Sequence, residues 1–199
     1  MMTKDFFKTR PLSWSAISSF EYDKEKWYET YILGKRQTSK EMTFGSMVDK
    51  RIQDDPKFLP DLPRYPLMQY DMKVKFGDIM LTGRPDGLDL DNFLLADYKT
   101  GKNKWDKKRA DETGQLTMYL LLVYVTHKIP PEKFDCMIHW LPTQENGDFT
   151  ITFKKKMKHQ TFKTKRNMTD LLRFGVRINK ITQEMIDYAN NYEKENNKI

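Results

Sequence analysis

The stretch LTGRPDGLDLDNFLLADYKT, Leu81 to Thr100, decides how the rest of the chain is read. Leu88 and Leu90 close one apolar run, a turn bearing Asp89, Asp91 and Asn92 follows, and Phe93 to Ala96 open a second run. That is the pattern of two strands joined by a short turn. Side chains alternate along a strand, so Leu95, Asp97 and Lys99 share one face while Leu94, Ala96 and Tyr98 share the other. Asp97 and Lys99 are thereby placed roughly 7 Å apart at the root of a buried-looking strand. A turn centred near Asp91 sets Asp86, just after Pro85, opposite Leu95 and diagonal to Asp97. Buried charges are costly unless paired or bound to a metal. Asp97 and Lys99 alone form an ion pair. A second carboxylate beside them makes a hard-oxygen site suited to Mg²⁺ or Mn²⁺, leaving Lys99 to act on a charged nucleophile or a phosphate.

Arg84-Pro85-Asp86, followed by Asp97-Tyr98-Lys99, resembles the signature of the PD-(D/E)XK nuclease superfamily. With its flanks, Leu81 to Gly87 and Ala96 to Gly101, it is similar to the RecB-like exonuclease branch. Gln115-Leu116-Thr117-Met118-Tyr119 matches that branch's Q-x-x-x-Y motif, and Phe44 to Asp49 resembles its helix motif, which usually ends in a metal-binding His. Here Asp49 stands in that place. The N-terminal stretch from Leu12 to Tyr31 is similar to the branch's opening helices. The resemblance implies a restriction-endonuclease-like α/β fold, a central mixed sheet flanked by helices, over a single domain 1–199 with its catalytic core at about 41–142. It implies a metal-dependent deoxyribonuclease acting on DNA ends, with RNA a less favoured substrate. Asp86 and Asp97 would hold one or two Mg²⁺ or Mn²⁺ ions, helped by Asp49 and the Tyr98 carbonyl. Lys99 and Gln115 would be catalytic, and Tyr119 would lie beside the nucleic acid. The alternatives are an endonuclease of the same superfamily, or a binding subunit with a lapsed site. The iron–sulfur members of the branch carry four cysteines; Cys136 is the only one in this sequence, so no such cluster and no intrachain disulfide can form.

The formal net charge is +7, and residues 151–180 hold ten Lys and Arg against Asp170, or +9, so the remainder carries −2. This basic segment, within 151–199, is expected to meet a nucleic-acid backbone, with Lys154, Lys155, Lys156, Lys165 and Arg166 as contacts. The loop from Thr100 to Lys108 adds Lys102, Lys104 and Trp105, cations beside a ring on which a base can stack; Arg84 completes the set. His127, His139 and His159 lack metal-ligand spacing, so no zinc site is expected. No apolar run approaches a membrane span, and MMTKDFFKTR lacks the apolar core of a secretory signal, so a cytoplasmic protein is expected.

Further elements follow from pattern. Helices are predicted at Leu12 to Phe20, capped by Ser13 or Ser15, at Glu41 to Asp54 with Phe44, Met47, Val48 and Ile52 inward, and at Ala110 to Val125. Two more are predicted at Met168 to Ile178 and Thr182 to Tyr192. Strands are predicted at Met68 to Phe76, Phe134 to Pro142 with His139 on its polar face, and Phe149 to Phe153. Pro56 to Pro66, with four prolines, reads as a connector.

Overall fold

The computed structural model describes residues 2–35, 37–148, 150–155 and 158–196. The strands in chain order are β1 (Leu12–Ser13), β2 (Leu67–Met68), β3 (Met72–Phe76), β4 (Ile79–Gly83), β5 (Gly87–Asp89), β6 (Leu94–Gly101), β7 (Asp135–Glu145), β8 (Ile151–Phe153) and β9 (Gln160–Thr164). A six-stranded sheet runs β2-β5-β6-β7, after which β8 and β9 each pair with β7. It is mixed: β6 and β7 are parallel, and the other pairs are antiparallel. A smaller sheet is ordered β1-β4-β3. The helices are α1 (Phe6–Thr9), α2 (Trp14–Tyr22), α3 (Lys24–Trp27), α4 (Lys40–Asp54), α5 (Lys107–Glu112), α6 (Gly114–His127) and α7 (Met168–Asn196).

Alternation along β6 divides the interior in two. Leu95 points into the larger cluster, with Cys136, Ile138 and Trp140 of β7 and the apolar residues of α6 and α7. Ala96 and Tyr98 point the other way, into a smaller cluster with Val48 and Ile52 of α4, Leu62 and Tyr65. Helices thus cover both faces of the sheet, as expected. α6 packs against β3, β4, β6, α2 and α7, which is why it is apolar on every side. Truncating one of its buried leucines to Ala would cost about 2–5 kcal/mol. No helix of the described residues is long and apolar enough to cross a membrane.

Several boundaries differ from the sequence expectation. The hairpin pairs Gly87 with Ala96 and Leu88 with Leu95, so Asp86 falls across from Asp97, not Leu95. Met68 to Phe76 is not one strand: Gln69 takes a left-handed φ of +51°, and β2 and β3 belong to different sheets. That conformation costs a residue with a Cβ roughly 1–2 kcal/mol. The helix expected at Ala110 to Val125 breaks at Thr113, whose side chain caps α6 by accepting the Gln115 N–H. Gly114 follows because the Trp14 ring fills its Cβ position, 2.3 Å away. The two C-terminal helices are one, since Leu171, Phe174, Ile178, Ile181, Met185 and Ala189 carry the buried stripe through without a proline or glycine at the supposed joint. Residues 160–164, within the basic segment, form β9 on β7. Met47 is 47% exposed, while His139 is fully buried. Phe149, the expected start of a strand, lies outside the described residues; β8 begins at Ile151.

Candidate active site

The local fold brings the acids together. Pro85 and the short strand β5 hold Asp86 at the mouth of the hairpin, while Asp97 lies within β6 at 1% exposure. Asp86 Oδ2 accepts the Tyr98 N–H at 2.7 Å. A residue in extended backbone directs its N–H and C=O to the same edge, so the Tyr98 carbonyl also faces the Asp86 side. Lys99, two residues beyond Asp97 on the same face, brings Nζ to 2.8 Å from Asp97 Oδ2. That ammonium touches the buried Oδ2 directly, and among the described residues no other donor reaches this oxygen. The other oxygen is held from α6: Gln115 Nε2 donates to Asp97 Oδ1 at 2.9 Å and to Tyr119 Oη at 2.7 Å. Gln115 and Tyr119, four apart on one helix face, thus converge on the acid as their spacing suggests.

These groups line one cleft of about 560 Å³. Its walls also carry Asp49 from α4, Arg84, Gln69, and Ser13, Trp14, Ser15 and Ser18 from the N-terminal segment. Burial, then the charge on Asp97, pushes Asp86 well above the usual carboxylate range. The same two causes raise Asp49 to about 6. Burial works against the charge on Lys99, but Asp97 and Asp86 outweigh it and raise its affinity for the proton. Burial, followed by Asp97, likewise keeps the Tyr119 hydroxyl protonated.

The donor set fits a hard divalent cation. Among the described residues one buried carboxylate oxygen meets only the Lys99 ammonium, a second carboxylate stands across from it, and the two acids repel each other electrostatically. Mg²⁺ typically takes only one or two protein carboxylates and keeps several waters. Among the described residues no three or more His, Cys, Asp or Glu are grouped closely enough to hold a metal, so Asp49 shares the cleft without joining a compact carboxylate trio.

Residues 58–188 match the sequence model of the PD-(D/E)XK nuclease superfamily. The chain belongs to that superfamily. PD-(D/E)XK nucleases generally use divalent metal ions. Among solved structures, a candidate exonuclease from Eubacterium rectale is similar with a TM-score of 0.59 at 12% identity, covering 96% of this chain and 87% of the other. An alkaline exonuclease from Laribacter hongkongensis is similar with a TM-score of 0.55 at 11% identity, over 98% and 99% of the two chains. At such identities the likeness concerns the fold. Comparison with the curated proteins gives no match.

Not every cation expected to touch nucleic acid is offered to it in this nuclease fold. Trp105 is buried at 7% exposure in the larger cluster with Arg109 stacked on it, so its indole is not free to hold a base. Arg166 is buried too. Its five N–H donors go to Thr117, Thr164, and the carbonyls of Lys165, Ala110 and Thr113, so it braces α5, α6 and β9. Lys165 pairs with Asp135 at 3.0 Å, and Lys102 pairs with Glu145. Arg84 stands at the cleft with its side chain 58% exposed, near Asp71 at 4.0 Å. Lys104 and Lys155 are exposed and Lys154 is half-buried; Lys156 lies outside the described residues. Gln69 was hidden from sequence reading because it occupies an ordinary polar position in an alternating run.

Proposed function

We propose that this protein is a divalent-metal-dependent DNA nuclease that works from strand ends, with Mg²⁺ or Mn²⁺ as its ion. The observation that carries the reading is the meeting of Asp86, Asp97 and Lys99 in one cleft, with the Lys99 ammonium 2.8 Å from the buried Asp97 Oδ2. Asp86, Asp97 and the Tyr98 carbonyl would hold the ion, and Asp49 would act on it through water. Such an ion supplies Lewis acidity at the phosphate. Lys99 places its ammonium beside the reacting phosphate, where it orients the attacking water and offsets charge growing on the phosphoryl oxygens. Water oxygen bonds to phosphorus and gives up a proton to solvent, the bond to the leaving sugar oxygen breaks, and that oxygen takes up a proton from solvent. Gln115 keeps Asp97 turned toward the reaction, and Tyr119 closes the wall behind it. Arg84, Lys104, Lys154 and Lys155 steady the phosphate backbone. The reading treats residues 1–199 as one nuclease unit.

The test is digestion of end-labelled linear DNA and covalently closed circular DNA with Mg²⁺ or Mn²⁺, with Asp97→Asn as control. Shortening of linear strands with circles untouched is the expected result. Cleaved circles would make the enzyme an endonuclease. Failure of the wild-type protein to cut anything with either ion would end the nuclease reading.

A further inference from the structure

Gln69 sits where the chain leaves the six-stranded sheet for the smaller one. Met68 pairs with Gly87, and on the next rung the Gln69 N–H donates to the Asp86 carbonyl at 3.2 Å. There the backbone turns left-handed, and the side chain folds back into the cleft. Its Nε2 donates to Asp86 Oδ1 at 2.6 Å. Asp86 is therefore gripped at its main-chain oxygen and Oδ1 by Gln69, and at Oδ2 by the Tyr98 N–H.

The two halves of this grip serve different ends. The main-chain bond and the left-handed turn complete β2 and send the chain onward, and glycine adopts that φ with less strain. The amide bonds the Asp86 carboxylate, not the backbone of the turn. It fixes the rotation of one carboxylate in a cleft open to solvent, and each carboxylate oxygen has a second lone pair left after accepting one N–H.

Resting on the nuclease reading above, we propose that Gln69 is a positioning residue: its amide holds the Asp86 carboxylate so that Oδ1 keeps one lone pair turned to the divalent ion. Groups that orient metal ligands in this way are typically worth ten- to a hundredfold in metal affinity or activity.

The experiment compares wild type with Gln69→Gly, which retains the N–H and relieves the backbone while deleting the amide. Thermal midpoint, Mn²⁺ affinity by calorimetry without DNA, and kcat and KM for linear DNA are measured. The variant is expected to stay folded, the backbone relief offsetting part of the loss of the bond to Asp86 Oδ1. Its Mn²⁺ affinity should fall roughly tenfold or more, and kcat should fall with KM little changed. Gln69→Asn, which also tolerates this φ but whose amide is one methylene short, should behave the same and stands in if the glycine variant misfolds. Unchanged Mn²⁺ affinity in a folded variant overturns the role of Gln69 while leaving the nuclease reading intact. Wild-type protein that binds Mn²⁺ but cuts no DNA defeats the nuclease reading instead, with the affinity comparison still deciding on Gln69. A wild type that neither binds nor cuts removes both.

Discussion

Asp86 accepts the backbone N–H of Tyr98 at 2.7 Å, and so one acid of the cleft is fastened to the strand that carries the other acid and the lysine. The spacing of the three charged groups is therefore set by a hydrogen bond to backbone, in a region where both neighbouring strands are already paired.

Lys99→Ala should lower turnover by about a hundredfold or more, the usual scale for removing a charge-stabilising donor. Mn²⁺ affinity should hold or rise, since Nζ no longer stands 2.8 Å from Asp97 Oδ2. Single-turnover cleavage and calorimetry check the two halves separately. Wild-type turnover in the variant would take Lys99 out of the reaction.

The raised proton affinities of Asp49 and Asp86 act with opposite sign in the two states of the site. Without metal, these carboxyls bind protons more tightly folded than unfolded, so their stabilising contribution is present at low pH and is lost as pH rises through about 6 for Asp49. A divalent ion requires them deprotonated. Its affinity should therefore climb as pH rises through about 6. Mn²⁺ titrations between about pH 5 and about pH 8 measure this, and Asp49→Asn should flatten the rise. An affinity that does not vary across that range contradicts the assignment.

Arg166→Ala should act on stability rather than on DNA. It removes five donors from Thr117, Thr164 and three carbonyls inside the protein. Leaving buried acceptors unpaired costs about 1–3 kcal/mol for each such group. The thermal midpoint should drop by several degrees, about 2–4 °C per kcal/mol in a chain of this size. The dependence of DNA affinity on salt should keep its wild-type slope, which Arg84→Ala should reduce.

Gly87→Ala should destabilise the protein through its neighbour. A Cβ there would lie 2.1 Å from the Tyr65 ring, and Tyr65 in turn hydrogen-bonds the buried His139 at 2.7 Å. Overpacking of this kind costs about 1–3 kcal/mol. Chemical denaturation reads it directly, and a variant as stable as wild type would show that Tyr65 has somewhere else to go.

The face on which Asp97 and Lys99 lie was legible because strand alternation has a period of two and tolerates error in the turn. The turn is in fact centred one residue later than its sequence suggests: Asp89 accepts the N–H groups of Asp91 and Asn92, and Phe93 takes a left-handed φ of +55°. Moving the centre by one residue moves the register by two, so every side chain keeps its face while Asp86 shifts from Leu95 to Asp97. Gln115 and Tyr119 were legible for the same reason, helical spacing. Arg166 and Trp105 were not. A guanidinium that braces buried carbonyls and one that waits for a phosphate look alike in a basic segment, and only the strand β9 distinguishes them. Gln69 left no trace either, because a left-handed residue that is neither glycine nor asparagine carries no turn signal.

The main sheet stops on one side at β2, two residues long, and on the other at β8 and β9, which divide the length of β7 between them. Neither rim is a long straight ladder, and α5 packs over β9. A neighbouring molecule therefore finds little bare backbone on which to zip, and strand-to-strand aggregation is discouraged where a longer rim would invite it.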